Sequence, residues 1–297
     1  MEIRVTMLGT AGSSPARGRS LPGVAISYEG SVLLFDCGEG TQMQMLKYGT
    51  NYSRIEAIFI THAHGDHIIG IAGLVRTIAM NKRAEPLCIF VPKGYESIIK
   101  TLIAFDRAMI GYRIDVKGIG AGFVYRGKGF SVRAFRLRHT IAALGYVFRE
   151  DERRNFVVDK CEKLGIKGEM YGILEKNGRI RVGKKTVRLN DVTTIKEGKK
   201  VVYASDSRPV STTVAAARNA DLLIHESSYA DSEMELARER GHCTAGEAAA
   251  IAKKADAKKL VLTHISARYS SPGTIENDAR KIFRNSEVAE DGEVIIV

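Results

Sequence analysis

The sequence predicts an α/β protein: a four-layer αβ/βα sandwich, two halves each made of a sheet with outer helices, with a metal site along the shared sheet edges. Three observations carry that reading. Strand-like and helix-like segments alternate on both sides of a break over residues 150–198. The run Thr61-His62-Ala63-His64-Gly65-Asp66-His67 packs three imidazoles and a carboxylate onto a strand-to-helix turn. Single ligand-type residues, His139, Asp206 and His264, each follow an apolar strand-like segment, where sheet proteins commonly build sites from loops.

Taken in order, residues 2–9, 23–36 and 55–60 read as strands, and 39–47 and 68–80 as helices. A strand over 87–91, a helix over 94–107 and strands through 130–149 complete the first half. In the second half, strands at 200–205, 221–225, 259–264 and 292–297 alternate with helices at 211–219, 244–254 and 275–286. Gly9-Thr10-Ala11-Gly12 lacks the spacing and the later acidic residue of a dinucleotide loop and reads as tight-turn glycines. The segment 150–198 breaks the pattern. It is rich in lysine, arginine and glycine, with a short helix at 158–164 and a hairpin around Asn177-Gly178 and Gly183. So long a stretch with so little core pattern is functional or disordered.

The 297 residues suffice for a single large domain, 1–297, with a full core. A net charge of +11, spread along the chain, gives a folded surface suited to a polyanion. The four cysteines show no paired spacing and no secretory framework. Met1-Glu2-Ile3-Arg4-Val5 runs straight into a strand without a signal-peptide pattern, and no apolar run approaches the roughly 20 residues that span a bilayer. The expectation is a reduced, cytoplasmic protein with no membrane partner.

Imidazole and carboxylate suit zinc, manganese or iron. His62 and His64, two apart, can point to one side while Asp66 and His67 turn to a neighbouring point, a geometry for two metal ions. Four ligands cannot close two sites, and His139, Asp206 and His264 are the candidates for the remainder. His225 ends an apolar strand and reads as structural.

Phe35-Asp36-Cys37-Gly38-Glu39-Gly40-Thr41-Gln42, the His62–His67 cluster, His139-Thr140 with Leu144-Gly145-Tyr146, and Ser205-Asp206-Ser207-Arg208-Pro209 form one series of motifs. His225-Glu226-Ser227-Ser228, Gly241-His242-Cys243-Thr244-Ala245 and Thr263-His264-Ile265-Ser266-Ala267-Arg268-Tyr269 complete it. In this series the chain resembles the metallo-β-lactamase superfamily and, within it, the ribonuclease Z family of tRNA 3′-processing endonucleases. The family's His-Glu-Ala-Thr segment reads His225-Glu226-Ser227-Ser228 here, and the Gly-Pro step of its arm is replaced by Gly165-Ile166-Lys167-Gly168.

The resemblance implies a metallo-β-lactamase sandwich with a protruding basic arm at 150–198 that binds tRNA, in a homodimer. It implies two Zn2+ per subunit, with Mn2+ or Fe2+ as alternatives: one held by His62, His64 and His139, the other by Asp66, His67 and His264, with Asp206 bridging. The implied reaction is removal of the 3′ trailer from precursor tRNA by a metal-activated hydroxide that Asp66 orients, leaving a tRNA 3′-hydroxyl. His242, held and kept charged by Glu226, would protonate the leaving oxygen. Arg268 and Tyr269, with Ser266 beside them, are the substrate-contact candidates, and Arg19, with Arg17, is a weaker one. A phosphodiesterase of the same fold acting on small substrates is the alternative. The native metal, and whether the cut falls after the discriminator base or after an encoded CCA, stay open.

Overall fold

A computed structural model describes residues 2–104 and 107–297. The chain divides into two compact units, Met1–Phe148 with Lys200–Val297, and Arg149–Lys199.

The larger unit is built on two seven-stranded sheets. The first runs, edge to edge, Val294–Ile296, Arg4–Gly9, Gly23–Tyr28, Ser31–Phe35, Ile55–Phe59, Leu87–Pro92 and Ile114–Ile119. The second runs Ser286–Val288, Leu260–Thr263, Leu222–Glu226, Lys200–Ala204, Leu144–Glu150, Phe130–Arg136 and Val124–Gly127. Strand side chains alternate between two faces, and here both faces are buried. Leu33, Phe35, Ala57 and Phe59 enter the same core as Tyr146, Phe148, Tyr203, Ile224 and Val261 of the other sheet. Their neighbours Val32, Leu34, Ile55 and Ile58 pack instead on Ile71, Leu74, Val75 and Ile78 of the helix Gly70–Met80. In the second sheet Leu223, Leu260 and Leu262 pack on the helices Ser211–Ala217, Ala245–Lys254 and Gly273–Ile282 through Ala217, Ala248, Ala249, Ala252 and Ile275. Three cores between four layers make the αβ/βα sandwich.

The parallel strands decide where a site can lie. Ser31–Phe35, Ile55–Phe59 and Leu87–Pro92 run parallel in one sheet, and Lys200–Ala204, Leu222–Glu226 and Leu260–Thr263 in the other. Open α/β sheets bind ligands outside the carboxyl ends of such strands.

Several boundaries differ from the sequence pattern. Residues 23–36 form not one strand but a hairpin, turned by Glu29 (φ 47°) and Gly30 (φ 88°) in the left-handed region that a two-residue turn needs. The helix expected over 68–80 starts inside the histidine cluster as Gly65–Ile68 and resumes as Gly70–Met80. Glu96–Ala104 covers most of the expected helix 94–107, of which 105 and 106 lie outside the described residues, as does Met1. The expected helix 275–286 ends at Ile282, and Ser286–Val288 adds an edge strand whose three residues are too few to show a period.

The smaller unit has a core of its own, Cys161, Ile166, Leu174, Val187 and Val192. Arg153–Phe156 pairs antiparallel with Thr193–Lys196, and Arg179–Val182 with Lys185–Arg188 around Gly183. Asn177-Gly178 is not part of that hairpin. It closes an unforeseen helix, Met170–Asn177, with Gly178 at φ 69° as the left-handed cap that glycine supplies without strain. All four cysteines are free, and no helix among the described residues is long and apolar enough to cross a membrane.

Candidate metal centre

The donor side chains arrive from strand ends. Ile55–Phe59 runs into His62, and the helix Gly65–Ile68 carries Asp66 and His67 in its single turn. Phe130–Arg136 leads to His139, Lys200–Ala204 to Asp206, and Leu260–Thr263 to His264. His264 sits at φ 60°, uncommon for a residue with a side chain. Its ring packs so closely on Gly12 that a Cβ there would lie 2.5 Å from Nδ1.

Two groups of donors form. In the first, His64 Nδ1 lies 3.0 Å from His62 Nε2 and 3.3 Å from His139 Nε2, and Asp206 Oδ2 is 3.6 and 3.8 Å from those two Nε2 atoms. In the second, Asp66 Oδ2 is 3.4 Å from His67 Nε2 and 3.5 Å from His264 Nε2. Asp206 Oδ1 lies 3.4 and 3.1 Å from the same two nitrogens. One carboxylate therefore turns one oxygen to each group.

The residues fit divalent metal ions. His67 Nε2 and His264 Nε2 are buried with no hydrogen-bond partner, a cost that burial normally forbids. The imidazole nitrogens of the first group face one another across about a hydrogen-bond length, where lone pair meets lone pair unless a cation or a proton sits between. Imidazole with carboxylate suits zinc, manganese or iron.

The remote nitrogens are held, which orients the facing ones. His67 Nδ1 donates to Asp36 Oδ2 at 2.9 Å, and Asp36 also accepts from the Thr61 amide at 2.8 Å and the Tyr203 hydroxyl at 2.9 Å. His139 Nδ1 donates to the Gly241 carbonyl at 3.0 Å, and His264 Nδ1 meets Ser228 Oγ at 2.9 Å. The Ser13 amide donates to Asp66 Oδ2 at 3.0 Å.

Charge in the pocket is unbalanced towards acid. Burial alone would raise the Asp206 pKa, but His264, His67 and His62 hold it well below the carboxylate range. Burial likewise opposes Asp66, which the neighbouring His264 and His67 keep ionised. Burial pushes His62 and His139 down and leaves them neutral, the form that binds metal. His67, surrounded by Asp36 and Asp206, is instead pulled well above its usual value against burial. That is the field a cation would neutralise.

Beside the donors stands a second constellation. His242 Nδ1 is 3.2 Å from Glu226 Oε1 and 3.9 Å from Asp206 Oδ2, and its ring lies 5.2 Å from that of His139 and 5.4 Å from that of His264. Burial lowers the His242 pKa, but Glu226, together with Asp206 and Asp66, lifts the value to about 9. Glu226 is wholly buried yet fully used, accepting from the amides of Ser207, Ser228 and Cys243.

The proposed substrate contacts are placed differently. Arg19 does not reach out from its loop. It turns inward and donates to Thr10 Oγ1 at 2.6 Å and the Ala289 carbonyl at 2.7 Å, while Arg17 stays exposed. Arg268 is paired with Glu233 and lies over the Tyr229 ring, 5.1 Å from its centroid. The Tyr269 hydroxyl donates to the same Glu233 and accepts from the Ala230 amide at 2.9 Å. Ser266 belongs to a two-residue strand pairing Ile265 and Ser266 with Ala11 and Gly12. His225 is buried with Nδ1 on the Glu226 carbonyl at 2.7 Å and belongs to neither donor group. A groove of about 760 Å³ opens against His139 and is flanked by Lys93, Arg136 and Arg138.

Sequence reasoning placed Asp36, Thr61, Ser228 and Arg208 within its motifs but gave no role to them or to Tyr203. Asp36 carried a signal: like the donors His139, Asp206 and His264, it is a ligand-type residue directly after an apolar strand-like segment.

The chain matches the family model described as Anti-Pycsar protein Apyc1 over residues 3–152, and that described as Beta-lactamase superfamily domain over residues 176–265. Curated relatives match over nearly the whole length. Ribonuclease Z of Methanosarcina acetivorans is 41% identical over 293 residues, covering 97% of this chain and 96% of its own. Ribonuclease Z of Archaeoglobus fulgidus is 41% identical over 297 residues, covering 98% and 96%. The crystal structure of human tRNase Z, short form, is similar at a TM-score of 0.71 and 29% identity over 98% of each chain. The metallo-β-lactamase fold protein YhfI from Bacillus subtilis, at 21% identity and a TM-score of 0.72, shares the fold.

Proposed function

The chain belongs to the ribonuclease Z family of endoribonucleases and has the metallo-β-lactamase fold, and from that premise we propose that it is zinc-dependent and removes 3′ trailers from precursor tRNA, leaving a 3′-hydroxyl. One observation supports the reaction centre above the rest: Asp206 turns one oxygen to each of two donor groups, one of which holds two buried, unpartnered nitrogens. The relatives' common name supports an RNA substrate, the human tRNase Z supports tRNA, and a net charge of +11 suits either.

His62, His64 and His139 would hold one divalent cation and Asp66, His67 and His264 a second, with Asp206 common to both. Two such cations supply Lewis-acid stabilisation of charge on the phosphoryl oxygens and make a water acidic enough to attack at neutral pH. Asp66, fixed by the Ser13 amide, accepts a hydrogen bond from the attacking water and aims it. His242 keeps one proton on Nδ1 towards Glu226, so Nε2–H is free to protonate the departing 3′-oxygen, a poor leaving group without it. Lys93, Arg136 and Arg138 line the groove beside His139 with charge for the RNA backbone. The unit 149–199, with Arg153, Arg154, Arg179, Arg181, Lys184, Lys185 and Arg188, docks the body of the tRNA, and the enzyme works as a cytoplasmic homodimer.

The test is an assay of the purified chain on a precursor tRNA and on bis(p-nitrophenyl) phosphate, with and without chelator. Chelator-sensitive cleavage of the precursor to a 3′-hydroxyl tRNA and a 5′-phosphorylated trailer is expected. Hydrolysis of the small ester with no cut in the precursor would favour a small-molecule phosphodiesterase instead.

A further inference from the structure

Arg208 follows the shared carboxylate by two residues, and neither metal donation nor substrate contact accounts for it. Its guanidinium is bidentate on Glu247, at 2.7 Å to Oε2 and 2.5 Å to Oε1. The same Nη1 that meets Oε2 also donates to the main-chain carbonyl of His242. Glu247 cannot swing away, because it closes the capping box of the helix Ala245–Lys254, accepting from the Thr244 amide at 3.1 Å.

The rest of His242 is fixed as well. Gly241, at φ 77°, ends the helix Met234–Arg240, and the His242 amide donates back to the Ala237 carbonyl at 2.8 Å. The imidazole rests on Glu226 and Ser228. Arg208 is thus the group that holds the carbonyl side of this residue. Its own backbone is tied to the donors, since its amide donates to the Arg138 carbonyl at 2.7 Å, one residue before His139. The Cys243 thiol donates to the Ser207 carbonyl at 3.0 Å and closes the same link.

We infer that Arg208 is a positioning residue: held by Glu247, it couples the loop carrying Asp206 to the loop carrying His242 and so sets the imidazole where a departing oxygen can take its proton. This rests on the reading of His242 as the acid. Misplacing a catalytic group by about 1 Å can cost on the order of 10²-fold in rate, whereas losing the group outright costs about 10²–10⁴.

The experiment uses one precursor tRNA in two forms, with the ordinary 3′-oxygen or a 3′-bridging sulfur at the scissile bond. A thiolate departs without a proton, so loss of the acid is rescued by sulfur while loss of the metal centre or of the fold is not. In single-turnover assays of the full-length enzyme, Arg208→Ala and Glu247→Gln are expected to slow the oxygen substrate by about 10–100-fold and the sulfur substrate by less than about threefold, with the tRNA Kd unchanged. His242→Ala, run in parallel, tests the acid itself and should show the same selectivity with a larger loss. If His242→Ala is selective but Arg208→Ala slows both substrates equally or neither, the positioning role is wrong and the acid reading survives. If His242→Ala itself lacks selectivity, the acid reading fails and the inference goes with it.

Discussion

The donor cluster and the unit 149–199 are built on opposite physical principles. In the cluster most of the polar side chains are deeply buried: Asp36, His62, His67, Asp206, Glu226 and His264 are each 3% exposed or less. In the smaller unit five side chains form the core, while arginines and lysines cover much of the remainder. A buried polar network tolerates few substitutions, because a partner left alone costs its full desolvation. A charged exterior acts through summed potential, so no single residue there is decisive. Chemistry and substrate choice are therefore expected to fail in different ways.

The largest effect should come from Asp206→Ala. Metal charge stabilisation is worth several kcal/mol, so losing the shared carboxylate should slow precursor cleavage by about 10³-fold or more, at 1.4 kcal/mol per tenfold. Binding of tRNA to that variant, measured by filter retention, should stay within about threefold, since Coulombic docking does not use this residue. Parallel losses in both would break the division between the regions.

Asp36→Asn comes next. It takes the charge from the partner of His67 Nδ1 and should lower metal affinity or rate by about 10–100-fold, as outer-shell carboxylates do. Zinc titration of the metal-free variant reads the effect independently of turnover.

Glu226→Gln addresses proton supply. As the proposed acid His242 would act protonated, and Glu226, helped by Asp206 and Asp66, lifts its pKa against burial to about 9. Activity should therefore fall as pH rises through that value in the wild type. Without the carboxylate charge the pKa drops, and the alkaline limb of the kcat profile should move to lower pH. An unmoved limb would contradict the pairing.

The smallest effect on chemistry should follow Leu174→Ala in the smaller unit. Truncating this buried leucine costs about 2–5 kcal/mol in typical cores. Limited proteolysis should then cut within 149–199 first. Hydrolysis of bis(p-nitrophenyl) phosphate should persist while the KM for precursor tRNA rises. Equal damage to both substrates would mean that the two regions are not separate in function.

The same contrast explains what could be read in advance. His62, His64, Asp66, His67, His139, Asp206 and His264 stand out because few residue types bind divalent metals, and these either crowd into one strand-to-helix turn or stand singly after a strand. Ser228 and Arg208 do not, since a serine or arginine after a strand is ordinary until its partners are known. Arg19 misleads for a related reason: an arginine in a glycine- and serine-rich loop reads as exposed, but Thr10 and Ala289, far apart in sequence, draw it inward. The core of the smaller unit was hidden because Cys161, Ile166, Leu174, Val187 and Val192 follow no helical or strand period.

The most direct test of the central claim is metal analysis of the purified chain coupled to cleavage of one precursor tRNA, before and after chelation. Two metal equivalents per chain are expected, lost to chelator together with cleavage and restored together by zinc. Full cleavage by protein from which the metal has been stripped would contradict the claim.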